Sequence, residues 1–328
     1  MSTFCVLVMM YAEEEREVLH IMLETHQEKQ KALGLLVLRD DIIEISADQV
    51  FQDLLQEGIS KGQAAGIVME VGMHRATQCI NAAKVGYEVH CVEPSPNSFQ
   101  RVEQDVAKSS TDLQQKIHLY QVAAGSTSEE VVPFLVSAQG KGVQEEGHDL
   151  WAMAEQQLHN DTSLQVIQVP TMRLDDIVLP NLQAYILKVD THGFEPTVFS
   201  GLTESLEQHK IQYVLTEFWP RGIDLSAGKP DECIGVEMLE DFLIYNYTLY
   251  ALPVMADSAA PRGWQSLAAY RPLYDLQEYC EWYFQLEYAF PSTHYRMGYW
   301  SNILAVAPGA TLPSPQTKTG KALAEANL

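Results

Sequence analysis

Short apolar runs alternate with helical patterns through most of the chain after residue 66. The runs lie near 66–71, 87–93, 117–122, 184–190 and 211–217. Strands separated by helices are typical of βαβ units in a parallel sheet, so the pattern predicts an α/β fold. Two later runs, at 247–252 and 302–307, are predicted to close the sheet as a hairpin-like pair.

Helices are predicted between these strands from apolar spacing and end signals. One lies between the second and third strands, with Ser95 as its cap and Pro96 in its first turn. Another follows the fourth strand, with Pro196 early in it, and a third spans about 231–245. Their apolar residues recur at the spacing that places them on one face, which we expect to cover the sheet.

The segments outside this alternation divide the chain. Residues 1–62 are predicted to be an extension, with an amphipathic helix at 12–33, two short strands within 34–45 and a helix capped by Ser46. The main domain is predicted over 63–308. The tail, 309–328, is rich in Pro, Thr, Lys and Ala, and we expect it to be disordered.

Two segments interrupt the main domain. The polar stretch 137–163 fits a plain surface insertion better than a lid. The stretch 255–300 holds many aromatic residues, which either pack a cap against the sheet or line a pocket.

Charge and cysteine content narrow the expected partners and location. The 328 residues include 44 acidic and 21 basic side chains, a formal net charge of −23, which repels nucleic acid and anionic lipid. The five cysteines are scattered without metal-site or redox spacing, so we expect reduced thiols. The first residues fit neither a signal peptide nor a membrane span. We therefore expect a cytoplasmic protein with no nucleic-acid partner and no membrane span.

The turn after the first strand has the features of a cofactor cradle. Gly72 lets a ligand approach the backbone, and free amides at the start of the next helix favour an anionic group. Glu93, before Pro94, ends the second strand 23 residues after Glu70, where an acid accepts hydrogen bonds from an adenosine ribose. A nicotinamide site needs G-x-G-x-x-G for its pyrophosphate. Here Glu70 precedes a single glycine, and an acid there suits the ammonium of a methionine moiety.

Six motifs in order resemble the FkbM-type family of S-adenosylmethionine-dependent methyltransferases. They are MEVGMHRA, CVEPSPNSF, VAAGS at 122–126, TMRLDDIV at 171–178, ILKVDTHGFEPTVFSGL at 186–202 and SNILAVAP at 301–308. The resemblance implies the class I methyltransferase fold, a seven-stranded, mostly parallel Rossmann-like sheet with helices on both faces and an antiparallel last strand. It also implies S-adenosylmethionine as the cofactor and a small-molecule acceptor, most often a sugar or polyketide hydroxyl. A methyltransferase-like binding or scaffold protein without activity is the alternative.

The resemblance assigns cofactor-binding roles to individual residues. These residues are Glu70, Gly72, His74, Ala76, Glu93, Pro94 and Ala123. The chain departs from the family at three of them. Glu70 stands where the family usually has Asp, His74 where it has Asn and Ala76 where it has a second Gly. Ala76 fits that place if its backbone has a negative φ, because only a positive φ strictly favours Gly.

Asp190 and His192 are the candidate catalytic residues, and no metal site is assigned. By the resemblance, Asp190 lies beside the transferred methyl group. His192 is a candidate base for a hydroxyl acceptor, with a pKa near neutrality and Asp190 to orient it, or it hydrogen-bonds the backbone of its turn. Lys188 is expected to pair with Asp190, on the same side of the strand.

Two further acids are candidates for the acceptor side of the site. Glu195 is expected early in a helix, where the dipole stabilises a carboxylate, and the family motif makes it a candidate pocket residue. Glu217, Phe218 and Trp219 end the fifth strand, where they either bound the acceptor site or pack in the core.

Overall fold

The structure, a computed structural model, describes residues 40–62, 66–73, 76–137, 164–178, 183–252, 271–289 and 300–312. The first element is helix α1 (Asp40–Ser60), whose Phe51, Leu54 and Leu55 are fully buried in one hydrophobic cluster with residues of the main sheet. The helix includes Ser46, so the predicted Ser46 cap is wrong, as is any strand after residue 39. The helical spacing of Ala47 and Leu54 in fact continues back to Ile43 in the sequence. The helix predicted at 12–33 lies outside the described residues.

After helix α1, the described residues contain the strands of two sheets. They are β1 (Ile67–Val71), β2 (Glu88–Val92), β3 (Ile117–Tyr120), β4 (Ala123–Ala124), β5 (Val131–Ser137), β6 (Leu164–Met172), β7 (Ala184–Val189), β8 (Ile211–Phe218), β9 (Thr248–Ala251), β10 (Arg271–Pro272) and β11 (Ser301–Val306). The main sheet has the order β3-β2-β1-β7-β8-β11-β9-β10, and β4-β6-β5 form a small second sheet.

The main sheet confirms the predicted fold class. Strands β3, β2, β1, β7 and β8 are parallel neighbours, and β11 lies antiparallel between β8 and β9. These seven strands are the predicted mostly parallel sheet, closed by the predicted β9 and β11 pair. The two-residue β10 adds an unpredicted eighth strand at the edge.

Helices cover the sheet as the apolar spacing predicts. After α1 come α2 (Thr77–Lys84), α3 (Pro96–Ala107), α4 (Thr111–Gln114), α5 (Asp175–Val178), α6 (Glu195–Ser200), α7 (Thr203–Glu207), α8 (Pro220–Ser226), α9 (Gly235–Ile244) and α10 (Leu276–Ala289). The predicted cap of α3 is confirmed, because Ser95 Oγ accepts a hydrogen bond from the Ser98 N–H at 3.5 Å and Pro96 opens the helix.

The described part of the aromatic segment packs as a cap. Phe218 is fully buried, with its ring centroid 5.5 Å from that of Tyr279 and 5.7 Å from that of Tyr283. Packing is therefore the correct interpretation for Phe218 and these two tyrosines. The remainder of the segment, at 253–270 and 290–299, lies outside the described residues, as does most of the polar stretch, at 138–163.

The start of the predicted disordered tail is ordered. Ala310 and Leu312 pack against the core, and Tyr213 Oη donates a hydrogen bond to the Thr311 carbonyl oxygen at 2.6 Å. The prediction of disorder is therefore wrong for 309–312, because these apolar side chains find a surface that the sequence does not show. Residues from 313 onward lie outside the described part, and the remaining domain boundaries stay predictions.

Two disulfides correct the prediction of reduced thiols. Cys79 on α2 bonds Cys91 on β2, and Cys233 bonds Cys280 on α10, across 12 and 47 residues of sequence. Tertiary packing brings each pair together, which cysteine spacing cannot show. Disulfides persist mainly in oxidising compartments, so these bonds count against the cytoplasmic location, which stays a prediction. None of the helices in the described ranges combines the length and hydropathy needed to cross a bilayer.

The sheet reverses its direction of growth between β1 and β7. From β1 the chain proceeds outward to β2 and β3, whereas β7 and β8 lie on the other side. Ligands of open α/β sheets bind beyond the carboxyl ends of strands at such a switch point. Here the Asp190 N–H donates to the Val71 carbonyl at 3.0 Å, and a Cβ at Gly72 would lie 1.8 Å from the Asp190 carbonyl oxygen. Only glycine permits this approach, at a φ of +80°.

Ala76 has a positive φ, the backbone conformation that favours glycine. It precedes α2 with φ 49° and ψ 34°, in the left-handed region, and is fully buried. A side chain in this region costs about 1–2 kcal/mol. The chain thus keeps an alanine where the family prefers glycine, and the condition of a negative φ is not met.

Replacing Ala76 by Gly should relieve this cost. Ala82, equally buried inside α2, provides a matched control, because Ala82→Gly removes the same buried methyl group from helical backbone. We expect Ala76→Gly to be about 2 kcal/mol more stable than Ala82→Gly in urea denaturation. Equal stability of the two variants would show that position 76 is not strained.

Candidate functional site

Acidic side chains from four parallel strands meet beyond the carboxyl edge of the sheet. Glu70 lies in β1, Glu217 is next to last in β8, and Glu93 and Asp190 directly follow β2 and β7. Parallel strands place their carboxyl ends along one edge, which explains why residues so distant in sequence converge. The edge is therefore the candidate active site.

Glu70 is buried beneath the turn at Gly72. Its side chain is almost inaccessible, its Oε2 accepts a hydrogen bond from the Cys79 N–H at 2.8 Å, and it lies opposite Lys188 in the register of β1 and β7. Burial raises the pKa of Glu70 to about 7, although Lys188 and the Cys79 amide favour its charged form. Near neutral pH this carboxyl is consequently poised between its two protonation states.

Lys188 pairs with Asp190, as predicted. Its Nζ donates a hydrogen bond to Asp190 Oδ2 at 3.0 Å, and Asp190 exposes 27% of its side chain. Burial alone would lower the pKa of Lys188, but Asp190 and Glu70 outweigh burial and raise it. Lys188 is therefore a fixed cation beneath a partly accessible carboxylate.

His192 lies between two carboxylates. Its Nδ1 is 3.4 Å from Glu217 Oε2 and 3.7 Å from Asp190 Oδ1, and its side chain is 37% exposed. Burial would lower the pKa of His192, but Glu217 and then Asp190 outweigh burial and raise it to about 10. The expected near-neutral pKa is wrong, because Glu217 arrives from the neighbouring strand. At neutral pH His192 is a cation that donates hydrogen bonds.

Glu217 is a buried partner of His192. It is 6% exposed, and within the described residues its Oε2 makes no hydrogen bond, its ion pair with His192 apart. Burial and the nearby Asp190 raise the pKa of Glu217. The sequence placed this acid at the strand end but did not show its contact with His192. The signal that could have found it is the adjacency of β7 and β8.

Glu195 supports its own loop. It is fully buried and accepts hydrogen bonds from the Thr191 N–H at 2.7 Å and the Gly193 N–H at 2.9 Å. Burial and Glu217 raise the pKa of Glu195 to about 8. These contacts shape the turn that carries His192, so Glu195 positions the site from below.

Of the other predicted cofactor residues, the structure describes Glu93, Pro94 and Ala123 but not His74. Glu93 Oε1 accepts a hydrogen bond from the Ser95 N–H at 2.8 Å, and the half-buried Pro94 lies between them. Ala123 lies in β4 of the small sheet, paired with Thr171. His74 lies outside the described residues.

The edge cluster also has the composition of a metal site. One ligand atom each from Asp190, His192 and Glu217 lies within 4.8 Å of the others. A divalent cation could bridge them only by displacing the proton that His192 carries.

Comparison with known families identifies the domain. Residues 70–227 match the family model of the methyltransferase FkbM domain. The chain carries an FkbM methyltransferase domain. The family, enzyme class and cofactor expected from the motifs, S-adenosylmethionine-dependent methyl transfer, are therefore confirmed. No curated protein matches the sequence.

Several solved methyltransferases are similar in structure to the FkbM methyltransferase at low identity. The precorrin-6y C5,15-methyltransferase of Geobacter metallireducens GS-15 has a TM-score of 0.33 and 8% identity, over 83% of this chain and 90% of that one. The methyltransferase domain of bacterial CtHen1 has a TM-score of 0.37 and 9% identity, over 80% and 98%. The glycopeptide N-methyltransferase MtfA, solved with S-adenosylhomocysteine, has a TM-score of 0.27 and 11% identity, over 51% of each chain.

Removing the charge of Glu70 should stabilise the protein above pH 7. The pKa of Glu70 is about 7 in the folded protein, above the ordinary 4.5. The free energy of unfolding therefore falls as pH rises from about 4.5 to 7, and it stays lower above pH 7. Gln keeps an acceptor for the Cys79 amide. We expect Glu70→Gln to raise the free energy of unfolding at pH 8 by about 2–3 kcal/mol, measured by urea denaturation.

The pH dependence provides the internal control. At pH 4.5 Glu70 is already protonated in the folded protein, so the advantage of Glu70→Gln should nearly vanish. Glu103→Gln, on the exposed face of α3, should change stability at neither pH. A Glu70→Gln protein less stable than wild type at pH 8 would contradict the assigned burial penalty.

Proposed function

We propose that the FkbM methyltransferase methylates a hydroxyl group of a small molecule or sugar, with the acceptor held over Asp190, His192 and Glu217. The observation that carries this proposal is the carboxylate cluster at the switch point, beside the turn at Gly72. A hydroxyl nucleophile must lose a proton as the new bond forms, and carboxylates beside it can receive that proton. A methyltransferase-like protein without activity is the alternative.

The residues at the edge suit S-adenosylmethionine. Gly72 brings the backbone turn close to β7, where a Cβ would collide, so the cradle depends on its missing side chain. Glu70 and Asp190 supply negative charge for a ligand with ammonium and sulfonium groups. Glu93, whose Oε1 accepts the Ser95 N–H directly after β2, is the acid that we propose binds the ribose hydroxyls.

The acceptor side of the site works through alignment and proton transfer. Bound S-adenosylmethionine supplies an electrophilic methyl group. Asp190 is the more exposed carboxylate, so it accepts the hydrogen bond of the acceptor hydroxyl and takes its proton. Lys188 and the cationic His192 hold the carboxylates of Asp190 and Glu217 in place. The role predicted for His192 thereby changes from base to positioning residue.

Glu93 should govern cofactor affinity. In calorimetric titrations we expect Glu93→Gln to bind S-adenosylmethionine and S-adenosylhomocysteine about 10–100-fold more weakly, because hydrogen bonds to a charged acceptor contribute about 1.5–3 kcal/mol. Glu103→Gln is the matched control and should bind like wild type. Failure of the wild type to bind either compound would refute cofactor use by this chain, whereas an unchanged Glu93→Gln affinity would refute only the residue assignment.

His192 should act in its charged form. With acceptor pairs that differ only in carrying a hydroxyl or an amine, we expect the wild type to methylate the hydroxyl member. Its kcat should fall as pH rises through about 10, where His192 loses its proton. His192→Asn, with Asn tolerating the left-handed backbone at φ 53°, should lower kcat about 100-fold and lose this alkaline limb, leaving cofactor affinity unchanged.

His209→Asn is the control for that variant, because His209 is an exposed histidine with nearly the same φ, 51°. It should retain the wild-type rate and pH profile. Methylation of only the amine members of the acceptor pairs would refute the proposal that the acceptor group is a hydroxyl. Cofactor binding without transfer to any acceptor would favour the inactive alternative.

A further inference from the structure

A second group of metal-ligating side chains lies on β2 and β3. His90 and His118 are register partners on these neighbouring strands, with ring centroids 4.6 Å apart. Glu88 Oε1 lies 2.8 Å from His118 Nε2 and 3.9 Å from His90 Nε2. One ligand atom from each residue lies within 4.8 Å of the other two.

His90 is the member that hydrogen bonding leaves unexplained. The residue is 5% exposed, and in the described part of the chain its buried Nε2 has no hydrogen-bond partner. Its other nitrogen, Nδ1, lies 2.8 Å from Tyr120 Oη. When Nδ1 donates to that oxygen, Nε2 carries the lone pair, 3.9 Å from Glu88 Oε1. A fixed second nitrogen of this kind is usual for metal-binding histidines.

An ion pair accounts for only part of this cluster. Glu88 and His118 can pair at 2.8 Å on the surface. His90 Nε2 lies 3.9 Å from the same carboxylate oxygen, beyond hydrogen-bond distance, so the pair leaves this nitrogen without a hydrogen bond among the described residues. A buried imidazole nitrogen beside a carboxylate and a second imidazole is the ligand set of a borderline metal ion.

We propose that Glu88, His90 and His118 bind a zinc ion that ties β2 to β3. Zinc bonds to nitrogen and oxygen are about 2.0–2.2 Å, so ligand atoms in a tetrahedral site lie roughly 3.3–3.5 Å apart. The distances from Glu88 Oε1 to the two Nε2 atoms, 2.8 and 3.9 Å, bracket this value. The two rings are stacked at 22°, so the partly exposed His118 ring must turn out of the stack for both lone pairs to reach one ion. Two imidazoles favour zinc over magnesium or calcium, which prefer oxygen ligands.

The position of the cluster gives the ion a structural role. Glu88 begins β2, whereas Glu93 follows its other end, so the ion and the ribose-binding acid occupy opposite ends of one strand. Tyr120 connects them, since its hydroxyl contacts His90 and its carbonyl accepts the Glu93 N–H at 3.0 Å. The exposed side chains of Glu88 and His118, 52% and 41% accessible, leave a path for the ion and a place for water as fourth ligand.

Zinc titration of tag-free, chelator-treated protein tests this site without reference to activity. We expect one zinc ion per chain by calorimetry and a higher Tm with zinc. Glu88→Gln and His118→Asn change exposed side chains and should fold, yet each should weaken zinc binding at least about 10-fold and lose the Tm increase. Cobalt(II) should give the absorption of a tetrahedral site in the wild type but in neither of these two variants.

Matched variants separate this site from other places where zinc could bind. Glu103→Gln and His209→Asn should bind zinc like wild type, and so should His192→Asn, which alters the edge cluster. The proposal is overturned if the wild type binds no zinc, if Glu88→Gln and His118→Asn leave the affinity unchanged, or if His192→Asn abolishes binding. The proposal does not depend on methyl transfer.

Discussion

Burial of excess negative charge at the carboxyl edge of the sheet is the constraint on which this site depends. Glu70, Glu195 and Glu217 are each at most 6% exposed, with Lys188 and His192 as the nearby cations. A buried carboxylate is costly unless it is paired or hydrogen-bonded. Glu70 and Glu195 meet this requirement through backbone amides, and Glu217 through His192. The pKa of each acid is nevertheless raised, because burial outweighs these contacts, and a positively charged ligand would favour the ionised carboxylates.

Sheet topology imposes the second constraint. The strand order brings Gly72 against Asp190, and the left-handed backbone of Ala76 and His192 lies in the turns that follow β1 and β7. Strained non-glycine residues persist where surrounding structure holds them, and they concentrate at functional sites. The loops of this edge are thus shaped by the approach of two strands and by hydrogen bonds such as those of Glu195.

Periodicity and end signals predict much of this architecture because they report local structure. The parallel strands, the α3 cap and the antiparallel closure follow from patterns a few residues long, and Glu93 and Asp190 stand out because they end strands. The contact of His192 with Glu217 depends instead on which strands are neighbours. Local patterns carry no such information, and the pKa of His192 was mispredicted for this reason. Local patterns do not predict the disulfides either, because Cys79 and Cys91 come together only when α2 packs on β2.

The two metal-competent clusters differ in what an ion must displace. At the edge, His192 Nδ1 already faces two carboxylates as a cation, so a metal ion would have to remove a proton and break the pair with Glu217. Between β2 and β3, His90 Nε2 has no hydrogen bond to lose among the described residues. Metal binding therefore costs less free energy at the β2–β3 cluster than at the edge cluster. The edge cluster keeps its charges for the cofactor and the acceptor, whereas the β2–β3 cluster lies on other strands and has no such task.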